Sequence, residues 1–374
     1  MCRNFLYNSP LMAYNKNLPF NDLPDLPPAN FVESPELLRH LAIAARYLGE
    51  LNGLCASLPD PNLLINTIVL QESKDSSAIE NIVTTQDELY KATSETDHAS
   101  NAAKEVLSYK EAMYVGLEKM LAQKNLLLGN TMIDIMQTIK KNQSGIRNSP
   151  GTALKNAING EVVYTPPCCE DILRDKLSAL ERFINDTEIS KLDPLIKLAF
   201  IHYQFESIHP FADGNGRTGR IINTLYLVQQ GLLTQPVLYL SAYIVKYKSE
   251  YDQLLRGVTE KENWHDWVMF ILTAIIETAQ MTTRKIRNML LLKNEYEQRM
   301  KVALGSSFSF DLLHLMFMMP YLKIELLEKK GLAHRQTASS WFKKLTDADM
   351  LKPQKMGRTT YYINYKLMEI LADH

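Results

Sequence analysis

Twelve consecutive residues concentrate the chemistry of this chain: His209-Pro210-Phe211-Ala212-Asp213-Gly214-Asn215-Gly216-Arg217-Thr218-Gly219-Arg220. The glycines let a backbone turn tightly and approach a ligand closely. A helical pattern follows from 217, so the free N–H groups of a helix start would face that turn and form an anion site. Arg217 and Arg220 stand three apart on one helix face, and guanidinium groups suit phosphate oxygens. Asp213 is a hard oxygen ligand beside the anion site, of the kind Mg²⁺ takes when it bridges phosphates. His209 is the nearby side chain able to accept a proton near neutral pH. Each signal alone has an ordinary structural explanation; together, in twelve residues, they make a far narrower signal of an anion site with a metal ligand and a proton acceptor beside it.

Mostly helical elements must position this run. Leu37, Leu38, Leu41, Ala42, Ala45 and Leu48 repeat at helical spacing. Gly53 and Pro59-Asp60-Pro61 read as breaks, with Asn62 as cap of an apolar segment over 63–70. Thr85 and Glu88 form a capping box, and 102–121 reads as an amphipathic helix. Asn159-Gly160 between two short alternating runs predicts a β-hairpin over 152–165, closed by Pro166-Pro167. Asp193-Pro194 starts the helix that ends at Ile208. Residues 1–30 read as an extended arm over the first domain. The last 75 residues read as helix (310–319), helix (324–331), helix (337–348) and hairpin (355–363), the order of a winged helix-turn-helix.

Residues 209–220 match the Fic family pattern, His-Pro-Phe-x-Asp/Glu-Gly-Asn-Gly-Arg-x-x-Arg, at every fixed position, and 201–208 is similar to the family's preceding helix. The resemblance covers roughly 60–280. It implies a helical Fic fold and a protein adenylyltransferase, moving AMP from ATP to a Ser, Thr or Tyr hydroxyl of a target protein, with pyrophosphate released. By resemblance His209 is the general base and Asp213 the Mg²⁺ ligand. Gly214, Asn215, Gly216, Arg217, Thr218, Gly219 and Arg220 bind the ATP phosphates, and Phe211 anchors the loop. Asn215 stands where a kinase-like branch carries Lys. Val162, Val163, Tyr164 and Thr165 fall where the family's flap pairs with the target backbone. Ser76-Ser77-Ala78-Ile79-Glu80-Asn81 resembles the family's inhibitory motif, Ser/Thr-x-x-x-Glu-Gly/Asn. It implies a brake in which Glu80 pairs bidentately with Arg220, Ser76 fixes the helix and Asn81 supports Glu80. In some relatives the same glutamate aligns water for AMP removal, which is the alternative enzyme reading.

Tyr251, then Tyr243, are candidate adenine contacts, with core packing as the ordinary explanation of each. Over 301–374 there are 11 Lys and Arg against 7 Asp and Glu. Arg335, Trp341, Lys343, Lys344 and Arg358 could touch DNA phosphate there. This gives a DNA-associated regulator as the non-enzyme alternative; a protein-interaction or dimerisation module reads as well. Relatives commonly dimerise, so a homodimer is also carried.

The whole chain has 374 residues, 46% apolar and 22% charged, with 41 Lys and Arg against 42 Asp and Glu. That composition excludes a disordered chain, and the balanced charge argues against a surface that coats nucleic acid or an anionic membrane throughout. No apolar run is long enough to span a bilayer, and 1–25 does not read as a signal peptide. Cys2, Cys55, Cys168 and Cys169 make no zinc spacing, so a reduced, cytoplasmic protein is expected. The expected organisation is mainly α: an N-terminal helical region with the brake (1–125), a Fic core with a hairpin flap (126–285) and a winged-helix-like domain (300–374).

Overall fold

The computed structural model describes residues 14–58, 61–94, 99–148, 151–156, 159–356 and 359–373. Expectations resting on Cys2, Pro59, Asp60, Arg358 or the Asn62 side chain lie outside the described residues. The chain is mainly helical. Helix α1 (Pro35–Ala56) starts at Ser34, whose side chain accepts from Leu37 N, and buries Leu37, Leu41, Ala44, Leu48 and Leu51. Gly53 does not break it, because nothing crowds that turn and the helix continues to Ala56. Leu38 of the expected face is instead 44% exposed. Helix α2 (Pro61–Ile79) begins before Asn62, so Asn62 lies inside the helix and is not its cap. Helices α3 (Gln86–Ser94) and α4 (Asn101–Ala122) follow, the first capped by Thr85 Oγ1 accepting from Glu88 N at 3.1 Å.

Helix α5 (Gly129–Lys140) leads into the hairpin, β1 (Leu154–Lys155) against β2 (Val162–Tyr164), antiparallel with a bulge. Asn159-Gly160 is not a two-residue turn. Asn156 N bonds Glu161 O at 2.8 Å, so the strand pairing ends before Asn159, and Gly160 takes φ +69°. Helix α6 (Glu170–Asn185) then packs by one face on α7 (Pro194–Ile208), which with α8 (Asn215–Gln229) forms the centre of the molecule. α7 is buried on nearly every side, which is why its sequence is apolar around the whole helix. The N-terminal arm, 14–34, runs against the hairpin and α7 and not over the first helices: Phe20 N bonds Thr165 O at 3.0 Å and Gln204 Nε2 bonds Pro24 O at 2.9 Å.

Beyond α9 (Leu240–Lys246) and α10 (Lys248–Lys261), α11 (Trp264–Leu304) is one helix of 41 residues. It passes unbroken through 286–299, where the sequence suggested a gap between domains. Helix α12 (Phe310–Met318), β3 (Tyr321–Leu322), α13 (Ile324–Lys329), α14 (Arg335–Asp347), β4 (Lys352–Met356), β5 (Thr359–Ile363) and α15 (Tyr365–Ala372) complete the chain. The strand order is β3-β5-β4, so the expected hairpin gains a third strand. On α14, Lys343 and Lys344 are exposed but Trp341 is 9% exposed and belongs to the core, which removes it from the expected phosphate contacts. Among the described residues, no helix is long and apolar enough to cross a membrane.

Candidate active site

Helix α7 ends at His209, which occupies the left-handed region (φ 49°, ψ 58°) and donates its N–H to Phe205 O at 3.0 Å. This reversal throws the next residues back toward the start of α8. Phe211 is fully buried and packs on Phe205, as a loop anchor should. Asn215 closes the loop: its Oδ1 accepts from Phe211 N at 2.8 Å and its Nδ2 donates to Phe211 O at 2.7 Å. The Asn215 side chain is therefore spent on backbone, and only its N–H is left for a ligand. Gly214 takes φ +87°, a conformation that favours glycine. The first bond of α8 runs from Thr218 N to Gly214 O at 3.0 Å, so the N–H groups of 215–217 face outward from the helix start.

The Glu80 carboxylate lies on that helix start. A Cβ on Gly216 would stand 2.3 Å from Glu80 Oε1. Arg220 Nη2 donates to Glu80 Oε1 at 2.9 Å, while its Nε reaches Ser76 Oγ at 2.8 Å and Nη2 also reaches Ser76 O at 2.9 Å. The Glu80 contact is thus single and not bidentate: Nε and one Nη2 bond go to Ser76, and Glu80 meets Nη2 alone. Burial alone would raise the Glu80 carboxyl; the Arg220 charge and hydrogen bond outweigh it and hold the group below the usual carboxylate range. Asn81 follows in the left-handed region at φ 62°, and Ile82 N returns to Ser77 O at 3.0 Å. That backbone turn ends the helix behind Glu80 and explains why Asn or Gly suits the position. Glu72 anchors α2 from below: its buried carboxyl accepts from Tyr109 at 3.1 Å and from Ser241, and burial pushes it up to about 8.

Arg217 does not share Glu80. Its Nη1 pairs with Glu105 Oε2 on α4 at 2.9 Å, and its Nε is buried with no partner. Asp213 is 64% exposed and pairs with Lys140 at 2.6 Å. Burial would raise its carboxyl, but Lys140 and Gly214 N hold it low. Among the described residues no cluster of three His, Cys, Asp or Glu could hold a metal. A lone, half-open carboxylate still fits Mg²⁺, which keeps several waters and takes its other oxygens from phosphate.

His209 is pushed down to about 4, first by burial and then by the charge of Arg147. Arg147 clamps the region: its N–H donates to Pro210 O at 2.9 Å, its Nε to His209 O at 2.8 Å and its Nη2 to Pro167 O at 2.5 Å. It ties the loop to the foot of the hairpin. Tyr164 does the same from β2, donating to Ser207 O at 2.8 Å. Val162 and Val163 are half-buried, and Val163 O already meets Tyr14 Oη at 3.5 Å.

Thr218 and Gly219 lie in the buried first turns of α8, where Thr218 N is spent on Gly214 O. Gly219 is needed for close packing on α7: a Cβ there would meet Glu206 Oε1 at 2.5 Å and Phe205 Cδ1 at 3.0 Å. Glu206 Oε1 is buried with no partner, and burial raises its carboxyl to about 7. Gly219→Ala should therefore cost about 1–3 kcal/mol through overpacking. Thermal denaturation should show Tm lower by several degrees, and an unchanged Tm would contradict this packing account. Tyr251 is 6% exposed, packed on Trp267 and His202, with its hydroxyl 3.0 Å from His202 Nε2. Tyr243 is 8% exposed and lines a separate cavity of about 880 Å³ with Lys74 and Ala78. Neither ring offers an open face beside the loop.

Glu105, Lys140 and Arg147 carry no readable signal in the sequence, and Glu206 lies in the helix 201–208 without a role assigned to it there. The first three come from α4, α5 and the loop after α5, and only the fold brings them to the motif.

A helical core with a hairpin and an anion-facing loop defines the class of protein. Three family models match it in order: Fic/DOC family N-terminal over 38–118, Fic/DOC family over 127–227, and the C-terminal domain of SoFic-like protein adenylyltransferases over 292–367. The chain belongs to the Fic family. It is 35% identical to protein adenylyltransferase fic-1 of Caenorhabditis briggsae over 68 residues, 18% of this chain and 13% of that protein. It is 42% identical to protein adenylyltransferase Fic of Drosophila erecta over 55 residues, 15% of this chain and 11% of that protein. These matches thus span a small part of the relatives' length. The fold is shared with a Fic family protein from Desulfovibrio desulfuricans G20 at 18% identity and TM-score 0.56, over 89% of this chain and 97% of that one.

Proposed function

We propose that the chain is a protein adenylyltransferase held off by its own Glu80. The observation that carries this is the Glu80 carboxylate seated over Gly216 and bonded to Arg220, at the helix start where phosphates would lie. In the reaction, the target hydroxyl oxygen attacks the α-phosphorus of ATP and the bond to pyrophosphate breaks. The hydroxyl proton passes to His209; its Nδ1 is buried, so Nε2 is the accepting atom. The N–H groups of 215–217 with Arg217 and Arg220 hold the phosphates and neutralise charge. Asp213 would hold Mg²⁺ against the phosphates once Lys140 yields, and the ion would neutralise charge there. In-line transfer asks mainly for positioning, and a carboxylate in the anion site denies it.

The division into brake-bearing region, Fic core and winged-helix-like tail belongs to the same proposal. A second reading, AMP removal from a modified target, is favoured by the 40% exposure of the Glu80 side chain, which leaves its carboxylate open to water.

The deciding experiment gives Glu80→Gly protein ATP labelled at the α- or the γ-phosphate. Protein label from the α-phosphate alone is expected. Label from the γ-phosphate would mean kinase-like chemistry, and no label from either would leave AMP removal as the reading to test.

A further inference from the structure

The geometry points to a second contact with the target, in a cavity that continues from the flap and selects a basic, apolar segment beside the acceptor hydroxyl; this rests on the adenylyltransferase reading. β1 covers one edge of β2, and the arm reaches the other at Val163 O and Thr165 O. Tyr14 and Phe20 make those contacts, and both also line a cavity of about 680 Å³. Its opposite wall is the end of α10 and the start of α11, where Glu260, Glu262 and Trp264 stand.

The lining is one-sided in charge. Asp22, Glu260 and Glu262 are exposed at it, and no Lys or Arg is among the lining residues. Lys16, nearby on the arm, is taken by Glu161. Aromatic walls with an acidic rim suit a side chain with an apolar stem and a cationic head, because the stem covers ring surface while the charge meets carboxylates. Low-dielectric walls lined by one sign of charge also concentrate the opposite sign. A target strand paired with β2 would take the place of the long Tyr14 hydroxyl contact at Val163 O and carry its flanking residues toward this cavity, so Arg or Lys with an apolar neighbour near the acceptor is the favoured context.

The test uses the full chain and fluorescence anisotropy, without ATP. One labelled peptide carries Ser flanked by Arg and Leu; the other has Glu for Arg. The Arg peptide should bind at least about tenfold more tightly, and less so as salt rises. Glu260→Lys with Glu262→Lys should remove that preference while ATP binding stays unchanged. Equal binding of the two peptides, binding of neither, or an unaltered preference in the double variant overturns the proposal. Intact peptide selectivity with no AMP transfer in Glu80→Gly protein would instead count against the adenylyltransferase reading.

Discussion

Glu80→Gly should raise AMP transfer by roughly 10–100-fold, the factor expected from one charge-assisted hydrogen bond of about 1.5–3 kcal/mol. Exposure of the carboxylate places the effect toward the lower end, because water screens the pair. The gain has a specific origin. Glu80 Oε1 occupies both the space over Gly216 and the Arg220 nitrogen that a phosphate oxygen would use. Removing it frees both at once, so apparent ATP affinity and rate should rise together. Ser76 still holds Arg220 by two bonds, so the guanidinium stays in place. Glu80→Gln keeps the shape and loses the charge, and should fall between the two. The pH sign follows from the lowered Glu80 carboxyl: the contact is complete at neutral pH and is lost only as pH falls through that depressed value. Label transfer from α-labelled ATP measures all three proteins, and equal rates in wild type and Glu80→Gly would remove the brake.

His209→Ala in the Glu80→Gly background should lower transfer by about 10²–10⁴-fold, the usual contribution of a general base. ATP binding should change little, since the phosphate-facing groups belong to α8. Burial and Arg147 keep the imidazole neutral at pH 7, with a value of about 4, so the base is ready without prior deprotonation. The Glu80→Gly rate should therefore stay supported by the base across neutral pH and fall as pH drops toward 4. Glu206, near 7, adds a separate step through its charge beside Arg220, and Glu206→Gln should remove that step. Retention of the full Glu80→Gly rate by the Glu80→Gly, His209→Ala double variant would sink the assignment.

Much of the site was legible because its residues are neighbours in the chain. The loop 209–220 has its own local logic of helix end, tight glycine turn and helix start. The brake hexapeptide is legible only through its resemblance to the family's inhibitory motif; by local spacing alone it reads as a solvent-facing helix turn, and the positive φ of Asn81 is a finding of the structure. Tyr251 shows the limit. A tyrosine near the motif reads alike whether it faces a ligand or packs on Trp267, since burial is set by elements far away in sequence.

By itself the sequence determined the mainly helical fold, the hairpin's place and the tight loop between two helices, because each rests on local spacing; the acid proposed to oppose that loop rests on a family resemblance. Only the tertiary structure decided how the arginines are shared. Arg217 goes to Glu105, and Arg220 is divided between Ser76 and Glu80. It also decided that Arg147 ties the loop to the hairpin, that Gly219 serves packing, and that α11 runs unbroken through 286–299. These outcomes depend on which distant groups compete for one buried donor or one small space. That competition is settled by packing in three dimensions and leaves no periodic trace in the chain.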